Sequence, residues 1–311
     1  MKIRGAGRIA RAAAKALLIT ARDSQAEDVQ RMVQELEGTG KMIIESRPTA
    51  VSLPNAVRCI LKRVSDAKAH AKNVAEIRQL ACDSALRFIL ESKQAVKKIG
   101  EIGARRIEDG DVVLTHCNSE AALSVICTAW SEGKSIQVFA TESRPRLQGR
   151  ITIRRLDKVG IPTTFIVDSA VRYFMNKIDK VIVGADTIAA NGAVVNKIGT
   201  STIALAAKEA RTLFYVATET YKFSPATVFG ELVKVEERDS SEIVPKGILN
   251  KLRNVTVRNP SFDVTPPEYV DLILTEKGVI PPQAAISVIQ QEFGWGLFEE
   301  TKYSIAADEE A

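Results

Sequence analysis

The run Thr115-His116-Cys117-Asn118-Ser119 places a thiol between the end of an apolar segment and the start of a helical one. A cysteine near a helix N-terminus feels the positive end of the helix dipole, which favours thiolate. Cys117 is therefore expected as a nucleophile or general base, with a small buried thiol as the alternative. His116 suggests a Cys–His pair. Successive strand side chains point to opposite faces, however, so His116 is not expected to serve Cys117. Cys59, Cys82 and Cys127 fall inside helical patterns and read as packing residues. Asp186 closes the apolar run Val181-Ile182-Val183-Gly184-Ala185. Desolvation there raises a carboxyl pKa, the property of a general acid; a loop aspartate bonded to backbone amides is the alternative. Asn191-Gly192 then signals a turn that returns the chain through Val194-Val195 to Asn196-Lys197.

Several cations stand where an anion would be held. Gly5-Ala6-Gly7-Arg8-Ile9-Ala10 fits G-x-G-x-x-A, but only Met1-Lys2-Ile3 precedes Arg4 and no βαβ unit follows, so the dinucleotide reading fails. Arg4 followed by small residues at a helix start suits a phosphate instead. Arg47-Pro48 and Arg144-Pro145 are loop arginines, and Lys197 and Lys222 follow turn-like sequences. Each taken singly reads as a surface cation. Together with Arg4 they suggest two anion sites, one from each half of the chain.

The elements that must carry these residues differ between the halves. The first hundred residues read as helical: Arg8 to Leu18, Gln25 to Glu37 capped by Ser24 and ended by Gly38, a third helix after Arg47-Pro48-Thr49, and a fourth over Ala71 to Ile99. From Asp109-Gly110 strands alternate with helices. Strands are expected at Val112–Thr115, Ile136–Ala140, Thr163–Val167, Val181–Val183 and Leu213–Ala217, and helices at Ala121–Ser131, Gln148–Val159, Val171–Ile178 and Thr202–Ala210. That alternation predicts an α/β fold, a helical domain (1–107) followed by a Rossmann-like domain (108–311) with a mostly parallel sheet. Beyond Tyr221 the pattern loosens; a last helix runs from Pro281-Pro282 to Phe293, and the tail Asp308-Glu309-Glu310 reads as disordered. Every expected strand runs into polar residues: His116-Cys117-Asn118, Thr141-Glu142-Ser143, Asp168-Ser169, Asp186-Thr187 and Thr218-Glu219. Ligands of open parallel sheets bind beyond the carboxyl ends of the strands. Some of these residues serve as ordinary helix caps, and the set as a whole points to a site on that edge.

Composition narrows the function classes. With 311 residues, 45% apolar and 26% charged, the chain needs no disulfide or metal to fold. A net charge of +5 is mild and not gathered into a stripe, so no nucleic-acid partner is expected, though a small polyanionic ligand suits it. No apolar run approaches a membrane span. Four cysteines without CxxC spacing and two histidines argue against a metal site and for a reducing, cytoplasmic location.

The segments Arg4-Gly5-Ala6-Gly7, Arg47-Pro48-Thr49-Ala50-Val51, Thr115 to Ser119, Glu142-Ser143-Arg144-Pro145-Arg146-Leu147-Gln148-Gly149 and Gly184 to Gly192, continuing to Asn196-Lys197-Ile198-Gly199-Thr200, resemble one superfamily. It comprises the regulatory subunits of initiation factor 2B, methylthioribose-1-phosphate isomerase and archaeal ribose-1,5-bisphosphate isomerase. The isomerases carry the Cys and Asp that stand here at 117 and 186. Their presence and the additional cations favour resemblance to the ribose-1,5-bisphosphate enzymes, with a non-catalytic regulatory subunit and the methylthioribose enzyme as alternatives. The resemblance implies conversion of ribose 1,5-bisphosphate to ribulose 1,5-bisphosphate through an enolate, between AMP phosphorolysis and a ribulose-bisphosphate carboxylase. Cys117 is the implied base and Asp186 the implied acid. Arg4, Gly5, Ala6, Gly7 and Arg47 are implied at one end of the substrate. Ser119, Glu120 (by its backbone amide), Ala121, Asn196, Lys197 and Lys222 are implied at the other, with Arg144 and Gln148 as further binding residues. It also implies no cofactor or metal, AMP as activator, and a homo-oligomer built from dimers, a hexamer. The leader ahead of Arg4 is shorter than the family's usual one, so less cover of the site is expected from that side.

Overall fold

Alanine and other unbranched residues lose little freedom in a helix, and the Ala-rich start of the chain accordingly forms α1, Ala6–Asp23. The computed structural model describes residues 5–47 and 49–294; Arg4, Pro48 and the tail Asp308-Glu309-Glu310 lie outside them. The chain divides into two compact units, one up to Ala95 and one from Val96. In the first, α1 is followed by α2 (Val29–Glu45) and α3 (Ser52–Lys68). Leu17, Met32, Leu36 and Ile60 are fully buried among them, each stabilising the unit by roughly 1.5–3 kcal/mol relative to exposure.

Two local readings are corrected here. Asp28, not Ser24, caps α2, accepting from the amide of Arg31 at 2.8 Å. Ser24 instead accepts from the amide of Ala26 and donates to Glu35 Oε2 at 2.6 Å. Gly38 does not end α2. The helix runs on to Glu45 through the buried Gly40, which lies against Val57 and Leu61 of α3. Helix α4 (Val74–Ala104) crosses the boundary between the units. Its last turns carry Ile99 and Ala104, which pack with Ile107 in the core of the second unit.

In the second unit β1 (Val112–Thr115), α5 (Glu120–Ser131), β2 (Gln137–Thr141), α6 (Gly149–Lys158), β3 (Thr163–Ile166), α7 (Val171–Phe174) and β4 (Lys180–Gly184) follow in alternation. The expected helix Val171–Ile178 is shorter than read, one α turn and then a 3-10 turn over Met175–Lys177. Next come β5 (Thr187–Ile188), β6 (Val194–Lys197), α8 (Thr200–Ala210) and β7 (Leu213–Ala217). The less patterned remainder holds α9 (Lys246–Leu249), β8 (Phe262–Thr265), β9 (Leu272–Thr275), β10 (Gly278–Ile280) and α10 (Ala285–Phe293). The main sheet has the order β10-β9-β7-β4-β1-β2-β3 and is parallel except for β10. A second sheet, β5-β6-β8, is antiparallel.

Strand alternation sorts the core into two layers. Leu114, Val181, Val183, Phe214, Val216 and Ile273 pack on one face with Ile203 and Ala207 of α8. Val113, Val138, Ile182, Tyr215 and Leu274 pack on the other with Leu123 and Ile126 of α5. This is the expected α/β class. Among the described residues no helix is long and apolar enough to cross a membrane.

Gly149 lets α6 start against β2, since a Cβ there would stand 1.8 Å from the Thr141 carbonyl oxygen. Gly149→Ala is expected to lower unfolding free energy by ~2 kcal/mol or more. Urea denaturation checks it, and a variant as stable as the parent would show that α6 docks differently.

Candidate active site

β1, β2, β3, β4 and β7 run parallel, so their polar carboxyl ends share one edge of the sheet. Cys117 follows β1 in left-handed backbone, φ 65, and both of its peptide groups are held. Its amide donates to Ser143 Oγ at 2.8 Å, and its carbonyl accepts from Thr152 Oγ1 of α6 at 2.6 Å. Ser143 is buried beyond β2, and its own amide donates to Asp168 Oδ1 at 2.7 Å, while the Arg144 amide donates to Asp168 Oδ2 at 2.7 Å. The Arg144 side chain is exposed.

His116 is fully buried and does not serve the thiol, as expected, although β1 ends at Thr115 and it is the partners of its ring nitrogens that show this. Its Nε2 lies 2.9 Å from the Ile198 carbonyl, which only accepts, so Nε2 carries the proton and Nδ1 accepts from Thr141 Oγ1 at 2.6 Å. Burial lowers its pKa, which keeps the ring neutral. The imidazole thereby ties β1 and β2 to the turn between β6 and α8.

That turn carries the expected Asn196 and Lys197, both buried. Asn196 Nδ2 donates to Thr200 Oγ1 at 3.0 Å. Lys197 Nζ donates to the Ser261 carbonyl at 2.8 Å and lies 4.8 Å from the centroid of the Phe262 ring. Burial lowers the Lys197 pKa, opposed by the charges of Cys117 and Asp186. Asp186 follows β4 and is half-buried; its charge also acts on the thiol. Cys117, Asp186 and Lys197 thus form one electrostatic cluster. Gly184 brings the end of β4 against the start of α5, since a Cβ there would stand 2.3 Å from Ser119 Oγ. Ser119 caps α5, accepting from the Ala122 amide at 3.2 Å. Glu120 and Ala121 form its first turn.

The expected lowering of the Cys117 pKa is overturned. Burial pushes the thiol up to about 11, aided by the charges of Asp186 and Asp168. Lys197 and the Asn118 amide pull it down by less. Cys117 precedes the N-cap of α5 by two residues, and a helix dipole gives only ~0.3–1 kcal/mol even within the first turn. Desolvation of a thiolate outweighs that.

Lys222 is buried and paired with buried Glu219 at 2.6 Å, so its charge is already answered by a carboxylate. Burial pushes the Glu219 carboxyl up, but Lys222 and the Tyr221 hydroxyl outweigh it and hold its pKa below the ordinary value. Gln148 precedes α6 and has a buried Oε1 without a hydrogen-bond partner. In the helical unit, Gly5 is the N-cap of α1 and makes no side-chain bond, while Ala6 and Gly7 open its first turn. Arg47 follows α2. Among the described residues no group of three or more His, Cys, Asp and Glu is arranged to hold a metal.

Sequence reasoning gave no role to Ser143, Thr152, Asp168 or Asp263. Ser143 and Asp168 stand among the polar strand ends, the one signal that marked them. Asp263 of β8 accepts from the Gly199 and Ser201 amides at the start of α8, and burial pushes its pKa up to about 6.

The model of the initiation factor 2 subunit family matches residues 2–282. The chain belongs to that family. It is 51% identical over 298 residues to the ribose 1,5-bisphosphate isomerase of Thermococcus kodakarensis, covering 96% of this chain and 92% of that one. To the methylthioribose-1-phosphate isomerase of Geotalea uraniireducens it is 41% identical, covering 90% and 84%. Among solved structures, a Pyrococcus horikoshii protein described as translation initiation factor eIF-2B superposes with a TM-score of 0.77 at 33% identity, covering 92% of this chain and 94% of that one. Membership and fold agree with what the sequence motifs imply.

A thiol raised to about 11 is protonated near neutrality, so alkylation of Cys117 should rise about tenfold per pH unit between pH 7 and 10. Lys197→Met, which removes the largest favourable charge on the thiolate, should slow it further. Iodoacetamide labelling read peptide by peptide measures both, and a rate already at its plateau by pH 7 would contradict the assignment.

Proposed function

We propose that the protein interconverts ribose 1,5-bisphosphate and ribulose 1,5-bisphosphate, with Cys117 as base and Asp186 as acid. The enzyme is an isomerase, and the reading of its substrate rests on the 51% identity to a ribose 1,5-bisphosphate isomerase along nearly the whole chain. The observation that supports the mechanism is that Cys117 and Asp186 stand beyond the neighbouring parallel strands β1 and β4, where the charge of Lys197 acts on the thiol.

The cluster suits a transfer that keeps its protons within the site. Protonated Asp186 gives its proton to the ring oxygen as the furanose opens. Cys117 thiolate takes the proton from C2, leaving an enol phosphate across C1 and C2. The thiol then returns its proton to C1, and Asp186 carboxylate recovers one from the C2 hydroxyl as the ketone forms. Both residues end as they began. The charge of Asp186 raises the thiol pKa, so a proton on Asp186 eases formation of the thiolate. Lys197 supplies the positive charge that an enolate or phosphate needs, without a metal or other cofactor.

The amides opening α5, with Asn196 and Lys197, are the proposed anion ligands of the α/β unit; Gly5, Ala6, Gly7, Arg4 and Arg47 are those of the helical unit. Gln148 Oε1, buried and unbonded, suits a substrate hydroxyl. Lys222 would reach a phosphate only while sharing its charge with Glu219. AMP activation, a dimer-based hexamer and a cytoplasmic location complete the proposal.

Purified protein given ribose 1,5-bisphosphate, with and without AMP, is expected to form ribulose 1,5-bisphosphate. Turnover of methylthioribose 1-phosphate alone would redirect the substrate, and turnover of neither would favour a regulatory subunit. Cys117→Ser and Asp186→Asn should each cut kcat by ~10²-fold or more with the fold intact; normal turnover in either removes that residue from the proton path. Arg47→Ala should chiefly raise KM, and an unchanged KM would reject its phosphate role.

A further inference from the structure

Left-handed backbone is unfavourable for residues with a Cβ and persists where the surroundings hold it. Three such residues lie at this edge: Cys117 (φ 65), Ser143 (φ 62) and Leu147 (φ 56). Two of them are joined directly, because the Cys117 amide donates to Ser143 Oγ at 2.8 Å. The holder of Ser143 is Asp168. One carboxylate oxygen accepts from the Ser143 amide and the other from the Arg144 amide, both at 2.7 Å. A carboxylate with two short amide bonds is a rigid fork, and it fixes the loop from which Ser143 reaches Cys117.

We propose that Asp168 is a positioning residue for the isomerisation, acting on Cys117 through Ser143. The inference rests on the reading of Cys117 as the base. Asp168 does not touch the thiol through a hydrogen bond; its carboxylate sets the Ser143 loop, and Ser143 Oγ sets the backbone from which the thiol is aimed. Thr152 closes the other side by donating to the Cys117 carbonyl at 2.6 Å. The anion ligands of the α/β unit in the proposed function, the amides opening α5 with Asn196 and Lys197, take no part in these bonds. Loss of Asp168 therefore misplaces the base and leaves the grip on substrate. The negative charge of Asp168 raises the thiol pKa, and its Oδ1 lies 3.9 Å from His116 Nδ1; what it offers the base is the loop geometry it fixes, not a lowered thiol pKa.

The test is a double-mutant cycle on the full-length enzyme, read as kcat and KM for ribose 1,5-bisphosphate. Asp168→Ala and Ser143→Ala are each expected to lower kcat ~10-fold or more with KM within about twofold. The double variant should be no worse than the weaker single, because both act through one bond. Asp168→Asn keeps an acceptor for the Ser143 amide and should recover much of the loss. Additive losses, or KM rising in step with the fall in kcat, would mean general loosening and overturn the proposal. If the alanine variants do not fold, Asp168→Asn and Ser143→Gly decide it. Glycine accepts φ 62 without strain but has no hydroxyl, so a fully active Ser143→Gly would refute the role of Oγ. Cys117→Ser run alongside separates the two readings. If it is inactive while the Asp168 and Ser143 variants work normally, only this inference fails. Should it turn over normally, the base assignment itself falls.

Discussion

A buried, neutral imidazole holds the working edge of the sheet together. His116 accepts from Thr141 at the end of β2 and donates to the Ile198 carbonyl in the turn before α8, so one side chain ties three separate pieces of chain. The bond accepted at Nδ1 requires that nitrogen to be unprotonated, and burial, which lowers the ring's pKa, favours that state. The lysine that faces the thiol sits one residue from that carbonyl. Loss of the ring would remove the side chain that bonds both the end of β2 and the turn bearing Lys197.

The chemistry of the site is a contest between burial and charge. Water exclusion makes the thiolate costly, and the same exclusion makes an ammonium costly at Lys197. Placed together they relieve each other, because each charge stabilises the other where the medium is least polarisable. Asp186 tips that balance according to its own protonation. A protein carrying out proton transfers at adjacent carbons benefits from such coupling, since a single proton count serves both groups.

The region after β7, where sequence patterning fades, contributes support more than chemistry. β8 completes the small sheet and brings Ser261 and Phe262 to Lys197 and Asp263 to the start of α8. Asp263 occupies amides at the start of α8 that would otherwise offer themselves to a phosphate, whereas the proposed function draws on the amides opening α5 in this unit. Farther along, Arg146 forks onto Glu242 in a bidentate pair, fastening the loop that precedes α6.

Much of this was readable from order and type of residue. Strands β1 and β7 fall where the apolar runs lie, the polar strand ends share one edge, and Cys117 and Asp186 stand beyond neighbouring strands β1 and β4. These features follow from short-range rules, since periodicity decides faces and parallel pairing decides which ends align. The reading of α2 failed because packing of Gly40 against α3, which the sequence does not reveal, lies past the glycine read as the stop. The reading of the Cys117 pKa failed for a related reason: dipoles are local and visible in sequence, whereas desolvation is the sum of everything packed around an atom. The partnerships Ser143–Cys117, Asp168–Ser143 and Lys222–Glu219 show the division. The last pair is three residues apart and still went unread, because its importance comes from burial. The others join residues some 25 positions apart, and only the folded sheet brings them together. Sequence alone determined which groups can do chemistry and on which edge they lie; tertiary structure decided their protonation and aim, because both depend on neighbours distant along the chain.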